Sequence, residues 1–292
     1  MIFINNTPME TQTQDDFIML PTNDVCFAGL MENPKVRKGF CAAVMRIRPE
    51  EIAETELLPT HLRREYADDK LGILDVRVKL IDSVQINLEM QVRNYEFWDE
   101  RALFYISKIF SDQLKSGDSY GMLQKCIHVS ILDFIRFPED KKCYRTIHFR
   151  DDDDNALYND KVELQILELK KLPKEIPSEE DIVQWMRFFS GKNREEFKLM
   201  AQTSEYFGEA YEALQKLSAD DLKRLEYEAR EKALKDYNTN MSSARNSGIK
   251  TGIRLASNVY RLHSQHLSNE AIASECDISV EEVQEIVALF HQ

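Results

Sequence analysis

Two short runs carry carboxylates and amides at spacings that could do chemistry. Residues 73–80, ILDVRVKL, alternate apolar and polar side chains, and residues 84–92, VQINLEMQV, do the same after a break at Ile81-Asp82-Ser83. Period-two alternation on both sides of a short break reads as a β-hairpin. Parity then assigns faces. Leu74, Val76, Val78 and Leu80 point one way, with Asp75, Arg77 and Lys79 opposite. In the second strand Val84, Ile86, Leu88 and Met90 share a face, with Gln85, Asn87, Glu89 and Gln91 behind it. Matching the two apolar faces requires a loop of odd length, because a one-residue slip flips a whole strand. A three-residue loop sets Asp75 across from Glu89, and a slip of two sets it near Gln91. Like charges facing each other across strands destabilise a sheet, so something should compensate. A bound cation is one candidate; Arg77, Lys79 or a neighbouring lysine is another. The plain alternative is a solvated polar strand face, which the same alternation also describes.

The elements around this hairpin follow from periodicity and breakers. Residues 1–20 are polar and irregular and read as a loose terminus. From Asp24 to Arg48 apolar residues recur near helical spacing, and Pro34 separates two short helices. Trp98 to Leu114 reads as an amphipathic helix with Leu103, Ile106, Ile109, Phe110 and Leu114 as its apolar stripe. Arg101, Tyr105, Lys108 and Asp112 lie on the neighbouring face. KCIHVSILDFIRF reads as a buried strand, VELQILEL at 162–169 as a further one, and Pro173 and Pro177 close this part. The order is helices, hairpin, helix, strand, strand, which is a mixed α/β core. From Ser178 onward the chain turns helical, through IVQWMRFF, Phe197 to Leu217 and Ala219 to Tyr237. Ser242 to Gly252 reads as a weak hinge. Two short helices follow, separated by a turn near Cys276-Asp277, with Ser268 and Ser279 as N-caps and Glu282 completing a capping box. The expected divisions are therefore 1–20, 21–177, 178–247 and 248–292.

Composition bounds the function classes. The 292 residues are 43% apolar and 30% charged, as in ordinary globular proteins. No long apolar run suggests a membrane span, and the first residues lack the pattern of a secretory signal. The five cysteines are scattered and odd in number, which suggests reduced thiols in a cytoplasmic protein rather than disulfides or a zinc site. Cys41 and Cys126 read as small buried hydrophobes. The net charge of −13 argues against a broadly basic nucleic-acid-binding surface. It leaves room for a local one, since acids cluster at Asp151 to Asp154 and Glu179 to Asp181. His128 reads as a satisfied core residue, and the other histidines show no metal-ligand spacing. No phosphate-binding loop or dinucleotide fingerprint occurs. The final helix starts SVEEVQEI, too acidic for reading base edges, so packing or homo-oligomerisation suits the C-terminal helices better.

The run from Leu74 to Phe134, LDVRVKLIDSVQINLEMQVRNYEFWDERALFYISKIFSDQLKSGDSYGMLQKCIHVSILDF, together with VELQILELKKLPK, resembles the Rpn family of recombination-promoting nucleases and transposases. That family lies within the PD-(D/E)XK nuclease superfamily, and the resemblance covers roughly residues 20–240. It implies a restriction-endonuclease-like mixed sheet core flanked by helices, with a helical C-terminal region. It also implies a DNA endonuclease using Mg²⁺ or Mn²⁺, acting in recombination or transposition. By the same resemblance Asp75 and Glu89 are the metal-holding acids. Gln91 stands where the superfamily has a lysine that assists the attacking water, a replacement known within the family. Gln91 can orient water but brings no charge, which Lys79 would have to supply. Lys79, Arg101, Tyr105 and Lys108 are candidate DNA-backbone contacts, beside the plainer reading of an exposed helix face. A nuclease-fold module that binds DNA or a protein without cutting is the alternative, motivated by Gln91 and the acidic balance.

Overall fold

The structure, a computed structural model, describes residues 17–61, 74–80, 83–94, 96–174 and 180–290. Ile73, the hairpin residues Ile81-Asp82 and the segment holding Pro177 and Ser178 lie outside the described residues. So does most of the expected loose terminus. Its last residues are described, and there Ile18 and Met19 sit in the core.

The chain divides into two compact units, Met1–Arg230 and Glu231–Gln292. The first is built on a six-stranded sheet. Its strands are β1 (Thr55–Leu58), β2 (Val76–Leu80), β3 (Gln85–Gln91), β4 (Cys126–Leu132), β5 (Tyr144–Arg150) and β6 (Leu157–Glu168), in the spatial order β1-β2-β3-β4-β6-β5. β1, β2 and β3 pair antiparallel, β3, β4 and β6 run parallel, and β5 closes the edge antiparallel to β6. Parallel neighbours need a crossover. Between β3 and β4 it is the helix α3 (Trp98–Ser111).

The hairpin between β2 and β3 takes the three-residue loop. Val76 pairs with Leu88 and Lys79 with Gln85, and the Leu80 amide donates to the Val84 carbonyl at 2.9 Å. Ser83 takes a left-handed conformation, φ 68°, as a three-residue hairpin loop requires.

One sheet face carries the apolar parity set of the hairpin from Val76 to Met90, together with Val129, Ile131 and Leu167. Leu74, expected with them, packs instead with Tyr105, Ile106 and Ile109 of α3, because the chain bends at Asp75 and the alternation breaks there. The face packs on α1 (Asp24–Glu32), α2 (Pro34–Met45), α4 (Asp181–Ser190), α5 (Arg194–Ala201) and α6 (Glu205–Ala219). Asn33 joins the first two: it ends α1, and its side chain accepts the Lys35 and Val36 amides at the start of α2, with Pro34 in the first helical position. Phe27, Phe40, Trp185, Phe188 and Phe189 interlock here, mostly edge to face. Gly191 is required, because a Cβ there would sit 2.5 Å from the Phe197 ring.

α3 covers the other face, and here the structure corrects several expectations. The helix ends at Ser111, before Leu114, and its buried residues are Trp98, Ala102, Tyr105, Ile106 and Ile109, whereas Leu103 is 48% exposed. The stripe is rotated because α3 seats on Cys126, Leu132, Leu164 and Ile166 rather than on the hairpin alone. Under this cover the polar side of β3 is not a solvated face: Asn87, Glu89 and Gln91 are all buried. β1 and β5 were not foreseen. β1 is four residues long, and β5 is an edge strand without a buried side. The stretch from Phe197 to Leu217 is two helices, broken before the Ser204 N-cap.

α7 (Asp221–Ser264) is a continuous helix of 44 residues, so Ser242 to Gly252 is no hinge. Ser and Gly are weak helix formers, costing at most about 1 kcal/mol per residue. The apolar residues Leu255, Val259 and Leu262 beyond them anchor the helix in the core of the second unit. That unit also holds α8 (Asn269–Cys276) and α9 (Val280–Leu289), capped by Ser268 and Ser279, with the Ser279–Glu282 capping box formed.

Candidate active site

The hairpin register gathers the acids. The β2–β3 pairing begins with Val76 and Leu88, so Asp75, just before Val76, and Glu89, just after Leu88, flank the same end of it. Asp75 Oδ2 accepts the Met90 amide hydrogen at 3.0 Å, tying the end of β2 to β3 beside Glu89. Glu89 sits in the middle of a central strand, flanked in parallel register by Ser130 of β4. It is 3% exposed. Its Oε1 accepts from Asn87 Nδ2 and its Oε2 from Gln91 Nε2, each at 3.4 Å. The guanidinium of Arg101, reaching down from α3, lies 3.9 Å from Glu89 Oε2 and also over the Tyr105 ring.

Burial pushes the Asp75 carboxyl up to about 6, opposed by its bond from Met90. Glu89 is pushed up to about 7, first by burial and then by the charge of Asp75, with Arg101 offsetting only part. Two acids that both resist ionisation define a place short of positive charge. Whether a divalent cation fits is decided by the donors: two hard carboxylate oxygens, the amide oxygens beside them, and too little countercharge. That set suits a hard divalent ion sharing its shell with water. Among the described residues no group of three or more His, Cys, Asp or Glu stands ready to cage a metal, so the protein's acidic share would be the pair. Beside Asp75 opens a cleft of about 290 Å³, lined also by Asp24, Glu32, Lys223 and Glu226.

The remaining sequence candidates divide. Arg101 joins the acids, while Tyr105 is buried against His128 and offers no surface to a DNA backbone. Lys79 pairs with Gln85, four residues along β2 from Asp75, which is roughly 13 Å at strand rise. Among the described residues, the cation paired with Glu89 is Arg101. Lys108 lies two helical turns from Arg101, about 10 Å along α3, at the Cys126 end of the sheet.

Two features escaped the sequence reading. A polar row runs under α3, where Asn87 Nδ2 is 2.8 Å from His128 Nδ1 and Ser130 Oγ 3.0 Å from His128 Nε2. Burial pushes His128 down to about 3, so the ring is neutral. With Nδ1 accepting from Asn87, Nε2 carries the hydrogen and donates to Ser130. His128 is thus the satisfied core residue its place in an apolar strand suggested, and its partners Asn87 and Ser130 are what the sequence reading missed. The second feature lies at the end of β6, where fully buried Glu168 accepts the amides of Arg136 and Phe137 at 2.7 and 3.1 Å. It also pairs with Lys171 at 2.9 Å and Arg145 at 3.5 Å. This pins the loop after β4, whose Arg136 pairs with Asp99 on the first turn of α3. No local spacing announces it.

A mixed sheet crossed by one helix, with an acid at the end of one strand and another on its antiparallel neighbour, is a restriction-endonuclease-like core with a helical C-terminal region. The family described as PD-(D/E)XK nuclease family transposase matches residues 21–244, and the chain belongs to it. No curated protein and no solved structure matches the chain. No described helix is long and apolar enough to cross a membrane.

Proposed function

We propose that the chain is a DNA endonuclease that hydrolyses phosphodiester bonds with Mg²⁺ or Mn²⁺ held by Asp75 and Glu89, in recombination or transposition of DNA in the cytoplasm. The observation that carries this is two ionisation-resistant carboxyls at one end of the β2–β3 pairing, half-buried Asp75 held by the Met90 amide and buried Glu89 next to Met90 on β3. A divalent ion bound there supplies the concentrated positive charge that phosphodiester hydrolysis needs. Strands hold the two acids more rigidly than loops would. Gln91, its Nε2 turned to Glu89, orients water through its carbonyl oxygen. Arg101 brings the fixed charge that an amide cannot. The test is an end-labelled duplex incubated with Mg²⁺ or Mn²⁺. Hydrolysis products that vanish in EDTA support the reading, and an intact duplex under both metals contradicts it.

A second reading, a nuclease-fold module that binds DNA or a protein without cutting, is favoured by one observation: Gln91 occupies the lysine position and is buried. It would retain duplex binding while failing that assay.

A further inference from the structure

We infer that the second unit has its own docking surface for the phosphate backbone of double-stranded DNA, the α7 face carrying Lys250, Arg254 and Arg261. This surface does not use the acid pair, and its test does not depend on cutting.

The chain has 51 Asp and Glu among 292 residues, yet none falls between Tyr237 and Ser264, which hold Arg245, Lys250, Arg254 and Arg261. Three of these four basic residues share one side. Ser243, Ser247, Lys250, Arg254, Ser257 and Arg261 follow one another at spacings of four and three, a single stripe of the helix, and all six are exposed. None of the three basic residues makes an ion pair among the described residues. Asn246, Thr251 and Asn258 flank the stripe and are exposed too.

Every side chain on this face can donate a hydrogen bond, and none is an anion. A face kept for helix stability would instead carry Glu, Lys, Ala and Gln, because Ser, Thr and Asn are poorer helix formers. A solvated face would also mix charges of both signs. The apolar demand of the helix is met elsewhere. Leu255, Val259 and Leu262 pack on Ile272, Ala273 and Val283, so α8 and α9 with their acidic residues lie on another side of α7. Arg254 and Arg261 each lie one residue, about 100° of rotation, from that packed stripe. From Lys250 to Arg261 the rise is about 16 Å, long enough to meet several phosphates of one strand.

The test is duplex binding by the full chain in EDTA, read by fluorescence anisotropy with a 30-base-pair probe between 50 and 200 mM salt. Replacing Lys250, Arg254 and Arg261 together by Gln should weaken binding at least 10-fold at 100 mM salt and lower the salt slope by about 3. The variant should keep its helical circular dichroism. The swap Lys250→Arg, Arg254→Lys, Arg261→Lys should restore binding, since phosphates read charge. Arg245→Gln, off the stripe, should cost less than any single stripe substitution. Unchanged affinity and slope in the triple Gln variant would overturn the proposal. So would an equal loss from Arg245→Gln, which would leave net charge alone at work. A drop in molecular mass of that variant with DNA affinity intact would assign the face to a second copy of the chain. Tighter, equally sensitive binding of duplex RNA would assign it to RNA.

Discussion

Asp75 Oδ2 accepts the Met90 amide hydrogen at 3.0 Å, so the acid at the end of β2 is held by the strand that carries Glu89. An asparagine offers the same acceptor without the charge. In EDTA at pH 8, Asp75→Asn should melt at or above wild type, relieved of a half-buried charge that acts on Glu89. Asp75→Ala, which loses the acceptor and orphans the amide, should be about 1 kcal/mol less stable than Asp75→Asn. Equal melting of the two variants would show that the bond contributes nothing.

The raised pKa values of Asp75 and Glu89 give stability a definite slope with pH. Both groups hold their protons more tightly folded than unfolded. The stability they contribute is therefore present at low pH and lost as pH rises from the ordinary carboxylate range through about 6 for Asp75 and about 7 for Glu89. Each contributes at most about 3–4 kcal/mol. Chemical denaturation in EDTA from pH 5 to 8 should show Glu89→Gln gaining on wild type as pH rises. Protons also compete with a cation for these oxygens, so Mn²⁺ affinity measured by calorimetry should rise across the same window. A pH-independent difference would remove Glu89 as a buried titrating group.

Arg101 stands 3.9 Å from Glu89, whereas Gln91 brings only an amide. If the guanidinium supplies the missing charge, Arg101→Gln should lower cleavage by roughly 10- to 100-fold, in the range of a lost electrostatic stabiliser. Gln91→Lys should raise cleavage severalfold in wild type and recover part of the loss in Arg101→Gln. Single-turnover rates on a duplex would check this, and additive effects of the two substitutions would show that they do not share a role.

Glu168 accepts two loop amides and faces Lys171 and Arg145 in a buried setting. Glu168→Ala should destabilise the first unit by about 3–5 kcal/mol, the cost of leaving a buried partner charge uncompensated. Urea denaturation followed by tryptophan fluorescence would measure it, since Trp98 and Trp185 both lie in that unit.

How far the sequence disclosed this depends on the range over which each feature is encoded. The hairpin and its register are local: alternation from Val76 to Met90 and an odd loop already set Val76 against Leu88, and so bring Asp75 and Glu89 to one end of the pairing. The caps at Ser268 and Ser279 are local as well. The burial of Asn87, Glu89 and Gln91 depends on α3 folding across the sheet, which alternation cannot report. β5 stayed hidden because an edge strand such as YRTIHFR has no buried side to leave a pattern. Glu168 meets Arg136 and Phe137 across some 30 residues of chain, so its role appears only with tertiary structure.

The most direct test of the acid pair is supercoiled plasmid incubated with wild type, Asp75→Asn and Glu89→Gln, each with Mg²⁺, with Mn²⁺ and with EDTA. The account predicts metal-dependent nicking or linearisation by wild type, and at least a 100-fold loss in both variants with melting temperatures retained. Cutting that survives in either well-folded variant, or that proceeds in EDTA, would contradict it.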